Sequence, residues 1–321
     1  MNRVISGIHH VTAIAGDPQR NIDFYVGALG LRLVKLTVNF DDPFTHHLYY
    51  GDGRGSPGTI LTFFPWPAAG SGSAGTGQVT ATAFSVPEGT LDFWAERLKS
   101  LKIDVDGPFT RFGEPLISIS DPDGMKVELV ATARGDADKS WNGGPVPVDS
   151  AIRGLHHATL SEEGYERTAT LLTVTLGFEL LGQEGNTFRY ALGAKAPGAI
   201  VDVECAPDRP PGRVAVGSVH HIAWRTPDDP QQAVWRREIA SLGYNVSPVM
   251  DRNYFHSIYF REPGGILFEI ATDPPGFTVD EPLESLGSKL CLPEVLEPHR
   301  ALIVARLPSL RLPDAQAGRR T

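Results

Sequence analysis

The chain repeats one pattern four times, and no single copy can cover both faces of its own small sheet. Each copy begins with an apolar strand. A helical period, shorter polar-apolar stretches, a Pro/Gly turn and a final apolar strand follow. The opening strands are Gly-Ile-His-His-Val-Thr (7–12), Val-Thr-Ala-Thr-Ala-Phe (79–84), Gly-Leu-His-His-Ala-Thr (154–159) and Val-His-His-Ile-Ala-Trp (219–224). Stacking them aligns His10, Ala81, His157 and His221 at offsets of 71, 76 and 64 residues.

Ile22, Tyr25, Val26 and Leu29 fall at helical spacing, with Gly30 after them as a terminator. Leu91, Trp94, Leu98 and Leu101 repeat the spacing, as do Ala233, Ile239 and Leu242 before Gly243. Asp17-Pro18 and Asp229-Pro230 read as helix N-caps followed by proline at the first helical position. The third copy, Glu163 to Leu176, is noisier.

The closing strands align through Pro57-Gly58, Pro122-Asp123-Gly124 and Pro263-Gly264-Gly265, which puts Phe63, Glu128 and Glu269 at one depth. In the third copy, Pro197-Gly198 leads to Val203 or Glu204; a slip of one residue exchanges the two faces of a strand. The fold expected is α+β: four βαβββ modules (about 5–66, 78–132, 153–206 and 217–273) paired into two half-open β-barrels. The chain divides between 1–135 and 150–275, and residues 276–321 form an irregular tail. The Gly/Ser/Ala-rich stretch 68–77 reads as a flexible connector.

Composition narrows the function. A formal charge of −9 with no Lys/Arg run argues against nucleic acid or an anionic membrane as the partner. No stretch approaches the roughly 18–20 apolar residues that span a bilayer, and Met1–Gly7 shows no leader segment, which points to a cytoplasmic protein. Cys205 and Cys291 are far apart and read as reduced thiols.

Three His-His pairs at equivalent strand positions and an inward glutamate carry the chemistry. Strand neighbours face opposite ways, so one histidine of each pair is expected inside a barrel. Glu269 lies 48 residues after His221 at the matching depth. Two imidazoles and one carboxylate on one side of a metal are the facial arrangement of non-haem iron oxygenases. If modules 3 and 4 pair, the ligands are His157, His221, Glu269 and perhaps Glu204, a set suited to Ni or Zn. If modules 1 and 4 pair, they are His10, His221 and Glu269, with the non-ligating Phe63 in fourth place. Periodicity alone leaves both open.

The first module reads His9-His10-x-Thr12, Asn21-x-x-Phe24-Tyr25, Gly30-x-Arg32, Lys35-x-Thr37-x-Asn39-x-Asp41-Asp42-Pro43 and His47-x-x-x-Gly51. The last reads Arg252, Ser257-x-Tyr259-x-Arg261-x-Pro263-x-Gly265 and Glu269. Together these resemble the hydroquinone-cleaving dioxygenases of the vicinal oxygen chelate superfamily, over roughly residues 5–275. The resemblance implies Fe(II) bound by His10, His221 and Glu269, and hence pairing of modules 1 and 4; Mn(II) accepts the same ligand set. It also implies supporting roles for His9, Thr12, His220, Arg252 and Tyr259. The partners implied are a small dihydroxy-aromatic substrate and O2, with a homo-oligomer expected.

A hydroquinone holds its hydroxyls para, so one oxygen at most meets the metal. Arg252 suits a bound phenolate, and His9 or His220 suits proton exchange. Two rivals stand beside this reading. One is a glyoxalase-like isomerase or lyase with four ligands, and the other is a non-catalytic protein that binds a planar aromatic or antibiotic.

Overall fold

The computed structural model describes residues 4–313; residues 314–321 of the expected tail and the first three of the N-terminal segment lie outside the described residues. Module 1 comprises β1 (Ile8–Ala15), α1 (Pro18–Ile22), β2 (Arg32–Asn39), β3 (Asp42–Gly51) and β4 (Ile60–Pro65). Module 2 holds β5 (Gln78–Pro87), α2 (Leu91–Ser100), β6 (Asp106–Arg111), β7 (Glu114–Ser120) and β8 (Lys126–Thr132). Module 3 holds β9 (Leu155–Glu162), α3 (Glu166–Thr170), β10 (Glu179–Glu184), β11 (Thr187–Ala191) and β12 (Ile200–Cys205). Module 4 holds β13 (Ser218–Thr226), α4 (Asp229–Ser241), β14 (Met250–Asp251), β15 (Phe255–Arg261) and β16 (Leu267–Pro275).

These strands form two curled eight-stranded sheets in an α+β fold. One runs β14-β15-β16-β13-β1-β4-β3-β2 and joins modules 1 and 4; the other runs β10-β11-β12-β9-β5-β8-β7-β6 and joins modules 2 and 3. Each seam is antiparallel, β1 on β13 and β5 on β9. His157, on β9, therefore lies in a different sheet from His221, and the ligand set built on pairing modules 3 and 4 does not assemble.

The helices start where their caps are. Asp17 accepts from the Arg20 amide, with Pro18 next. In α4 the cap is Asp228, one residue earlier than expected, accepting from the Gln231 amide. α1 and α3 each continue into a wider π turn, Asp23–Ala28 and Leu171–Thr175. Their apolar faces, among them Ile22, Tyr25, Leu171 and Leu172, are buried in one continuous core with Trp94, Trp224 and Trp235.

Three expectations need correction. The stretch 68–77 is not a free connector. Its backbone pairs with the equivalent linker between modules 3 and 4, through Ser71 with Val216, Ser73 with Arg213 and Thr76 with Pro211. A Cβ on Gly75 would come within 2.3 Å of the Pro210 carbonyl, so the small residues there serve close backbone approach.

The closing strands also sit one residue from the expected depth in two modules. Thr62, Glu128, Asp202 and Glu269 lie opposite Thr12, Ala83, Thr159 and Ala223. Thr62 thus replaces Phe63, and Asp202 replaces Val203 or Glu204. Glu204 pairs with Arg209 instead. The turns differ in length after proline, but each has a glycine with positive φ four residues before the inward position: Gly58, Gly124, Gly198 and Gly265. The left-handed glycine sets the strand's exit, so it anchors the register where proline does not.

The tail is less irregular than expected. It contains short 3₁₀ turns and the helix α5 (Arg300–Arg306), and its Asp280 and Glu281 side chains clasp the fully buried Lys35 of β2.

Candidate metal centre and active site

The seam of the first sheet is bulged at the first histidine of each pair. Ile8 and His10 face Trp224 and Ala223, so His9 is skipped; Thr12 and Ala13 face His221 and Val219, so His220 is skipped. A bulge breaks strict alternation of faces. Both rings of each pair consequently meet, with His9 Nδ1 2.9 Å from His10 Nδ1 and His220 Nδ1 2.7 Å from His221 Nδ1. The simple rule that one histidine looks in and its neighbour looks away holds for His9-His10 but not for His220-His221, both of which line the cavity described below.

The other nitrogens of His10 and His221 converge with Glu269. Their Nε2 atoms are 3.4 Å apart, and Glu269 Oε2 lies 3.4 Å from His10 and 2.9 Å from His221. Ligand atoms about 2.1 Å from one ion lie about 3.0–3.4 Å apart for angles between right and tetrahedral, so one first-row cation fits this triangle. Glu269 Oε2 has no hydrogen-bond partner among the described residues, while Oε1 accepts from Ser257. If His10 and His221 each donate Nδ1–H to the neighbouring histidine, their Nε2 lone pairs and the carboxylate all face one point. Three buried acceptors facing one another call for a cation.

The same bonding leaves His9 and His220 with protonated Nε2 atoms. His220 lines the cavity and offers that donor to it. His9 lies behind His10 against Phe255, with its Nε2 buried and unpartnered. Burial, then the charge of His221, pushes His220 down to about 3. Burial alone would raise Glu269, but His10 and His221 pull it well below the usual carboxylate range.

A cavity of about 320 Å³ opens on this triad and is lined by Thr12, His220, Arg252 and Tyr259, with Tyr49, Phe64, Trp66 and Phe255 as apolar walls. Tyr259 stands directly opposite Glu269 across the β15–β16 pair. Arg252 Nε donates to the Tyr259 hydroxyl at 3.2 Å, and Arg252 Nη2 lies 3.1 Å from Asp41 Oδ2 of the module 1 hairpin. Burial and then Glu269 push the Tyr259 phenol well up, so it stays a hydrogen-bond donor. Burial alone would lower Arg252, but Tyr259 and Asp41 hold it protonated. A larger groove of about 790 Å³ lies beside the tail, but its Arg32 is spent on the carbonyls of Gly53, Glu284 and Leu286.

All the sequence-predicted residues except His9 thus surround one cavity or the triad at its floor. Reading by motif missed Thr62 and Asp202, which counting from the left-handed glycines would have found. It missed Trp66 and Phe255 as walls, for which one sequence offers no signal.

Comparison with known proteins adds four findings. The model of the Glyoxalase/Bleomycin resistance protein/Dioxygenase superfamily matches residues 7–129 and 154–270. A Bacillus subtilis protein with the provisional name ring-cleaving dioxygenase MhqO is 51% identical over 306 residues, covering 94% of this chain and 96% of that one. A chlorohydroquinone/hydroquinone 1,2-dioxygenase of Sphingobium indicum is 36% identical, covering 91% and 93%. The crystal structure of a provisionally named dioxygenase from Bacillus subtilis superposes with a TM-score of 0.93 at 49% identity, covering 97% and 99%.

Proposed function

The chain belongs to the Glyoxalase/Bleomycin resistance protein/Dioxygenase superfamily and is a ring-cleaving dioxygenase, and from that premise we propose that it opens a hydroquinone ring at a divalent iron held by His10, His221 and Glu269. The observation that carries this reading is the convergence of two imidazole nitrogens and one unpartnered carboxylate oxygen beneath an aromatic-walled cavity. When bound, the ion would supply Lewis acidity toward a phenol oxygen and electron exchange with O2.

The chain's own residues do the rest. Phe255, Phe64 and Trp66 wall the cavity for a planar ring. The Arg252 guanidinium favours the deprotonated oxygen of the substrate. Tyr259 donates its hydroxyl proton as a hydrogen bond, and His220 Nε2–H adds a second donor. His9 holds the His10 ring in the tautomer that frees Nε2. Thr62 stands where a four-ligand isomerase would need a carboxylate, which counts against the glyoxalase-like alternative.

The test is anaerobic loading with Fe(II), followed by an oxygen-electrode assay with catechol, hydroquinone, and chlorinated and alkylated hydroquinones. Stoichiometric O2 uptake with a hydroquinone is expected. Turnover of hemithioacetals with no diol consuming oxygen would overturn the proposal, and Mn(II) loading in parallel separates the two metals that accept this ligand set.

A further inference from the structure

Glu269 and Thr62 occupy equivalent positions in modules 4 and 1, and each is held by a side chain from the neighbouring strand. Tyr259 faces Glu269, and Tyr49 faces Thr62. Two residues earlier on those strands stand Ser257 and His47. Ser257 donates to Glu269. His47 Nε2 lies 2.8 Å from Thr62 Oγ1, and Thr62 Oγ1 donates to Thr12 Oγ1 at 2.9 Å, a direction that reverses when both hydroxyls rotate about their Cβ–Oγ bonds. Thr62 is fully buried, whereas Thr12 and His47 both line the cavity. The three groups form a chain that leaves the cavity at Thr12, runs behind its wall through Thr62, and returns at His47.

We propose that His47, with Thr62 and Thr12, is a proton relay for this site, a role that rests on the dioxygenase reading above. Each hydroxyl both donates and accepts, and a neutral imidazole accepts at one nitrogen while donating at the other. A substrate hydroxyl seated at Thr12 passes its proton to the Thr12 oxygen as Thr12 passes its own to Thr62. Thr62 in turn passes its proton to His47 Nε2, and His47 releases the Nδ1 proton to water in the cavity. One proton leaves the substrate and one reaches solvent, and no protein group keeps a net charge. His47 Nδ1 makes no hydrogen bond among the described residues, which leaves it free for that exit. The relay matters because Arg252 can stabilise a phenolate but cannot accept its proton.

The relay is tested by stopped-flow measurement of proton release, using an indicator dye, when anaerobic Fe(II)-loaded protein is mixed with unsubstituted hydroquinone. His47→Gln keeps a hydrogen bond to Thr62 but cannot exchange nitrogens. It is expected to slow proton release and kcat at least about tenfold, within the usual range for acid–base assistance, with metal content unchanged. Thr62→Val, which breaks the chain while leaving His47 in place, is expected to do the same, and Thr62→Ser to recover most of the loss. Proton release at the wild-type rate in both His47→Gln and Thr62→Val overturns the relay while leaving the dioxygenase reading intact. A wild-type protein that consumes no O2 with any hydroquinone overturns the dioxygenase reading and the relay with it.

Discussion

The two barrels share one backbone plan and put opposite chemistry at its centre. In the barrel of modules 1 and 4, the four inward positions are His10, His221, Glu269 and Thr62. In the barrel of modules 2 and 3, they are Ala81, His157, Glu128 and Asp202. The second centre has one imidazole and two carboxylates, with His157 Nε2 3.5 Å from Glu128 and 3.4 Å from Asp202. Its charges are already met from within. Arg111 binds both oxygens of Glu128 at 2.8 and 3.1 Å, and Arg189 binds both oxygens of Asp202 at 2.7 and 2.9 Å. Arg189 stands at the position that Tyr49 and Tyr259 occupy in the first barrel. A guanidinium there supplies the positive charge that a metal would otherwise bring. A tyrosine there supplies none, and the carboxylate keeps an oxygen free. The difference between the proposed metal centre and the ion-paired core therefore rests on the residues that face the carboxylates as much as on the carboxylates themselves.

The comparison breaks most sharply by substitution at matching positions. His221→Ala or Glu269→Gln should abolish metal retention and lower O2 uptake by about a thousandfold or more, since the ion contributes several kcal/mol to the barrier. His157→Ala at the equivalent position should keep the metal content and leave O2 uptake within a fewfold. Metal analysis and the oxygen electrode read both, and loss of metal in His157→Ala would mean that the second centre also serves the ion.

A smaller effect is expected on stability. Arg189 is only 4% exposed and pairs with the fully buried Asp202 and with Glu114. Removing one partner of a buried pair typically costs about 3–5 kcal/mol, so Arg189→Met should lower Tm by several degrees with the metal still bound. An unchanged Tm would remove the ion-paired core from the account.

The smallest effect lies in the acid limb. Burial alone would raise Glu128, but hydrogen bonds from His157 and Arg111 hold it at about 2. A carboxylate with a depressed native pKa stabilises the fold above its unfolded value near 4.3, and that contribution fades as pH falls toward about 2. Arg111→Met should move the acid-unfolding midpoint upward, by about one pH unit or less, as followed by circular dichroism. A midpoint that does not move would show that His157 alone sets Glu128.

Much of this was written locally. The four-fold repeat, the proposed ligands His10, His221 and Glu269, and the candidate residues Thr12, His220, Arg252 and Tyr259 all stand in the sequence. Strand period, helix caps and turn glycines are local signals that act over a few residues. The tertiary structure decided what depends on distant partners. The choice between seams β1–β13 and β9–β13 is a difference between many weak contacts over strands far apart in the chain, which no local period encodes. The bulges that bring each histidine pair together exist only across a seam. The arginines that close the second centre reach their carboxylates from other strands, Arg189 from the adjacent β11 and Arg111 from β6, two strands away, and Lys35 meets its partners 245 and 246 residues away in the tail. The sequence alone specified which side chains could act; the pairing of the modules determined which of them share a cavity.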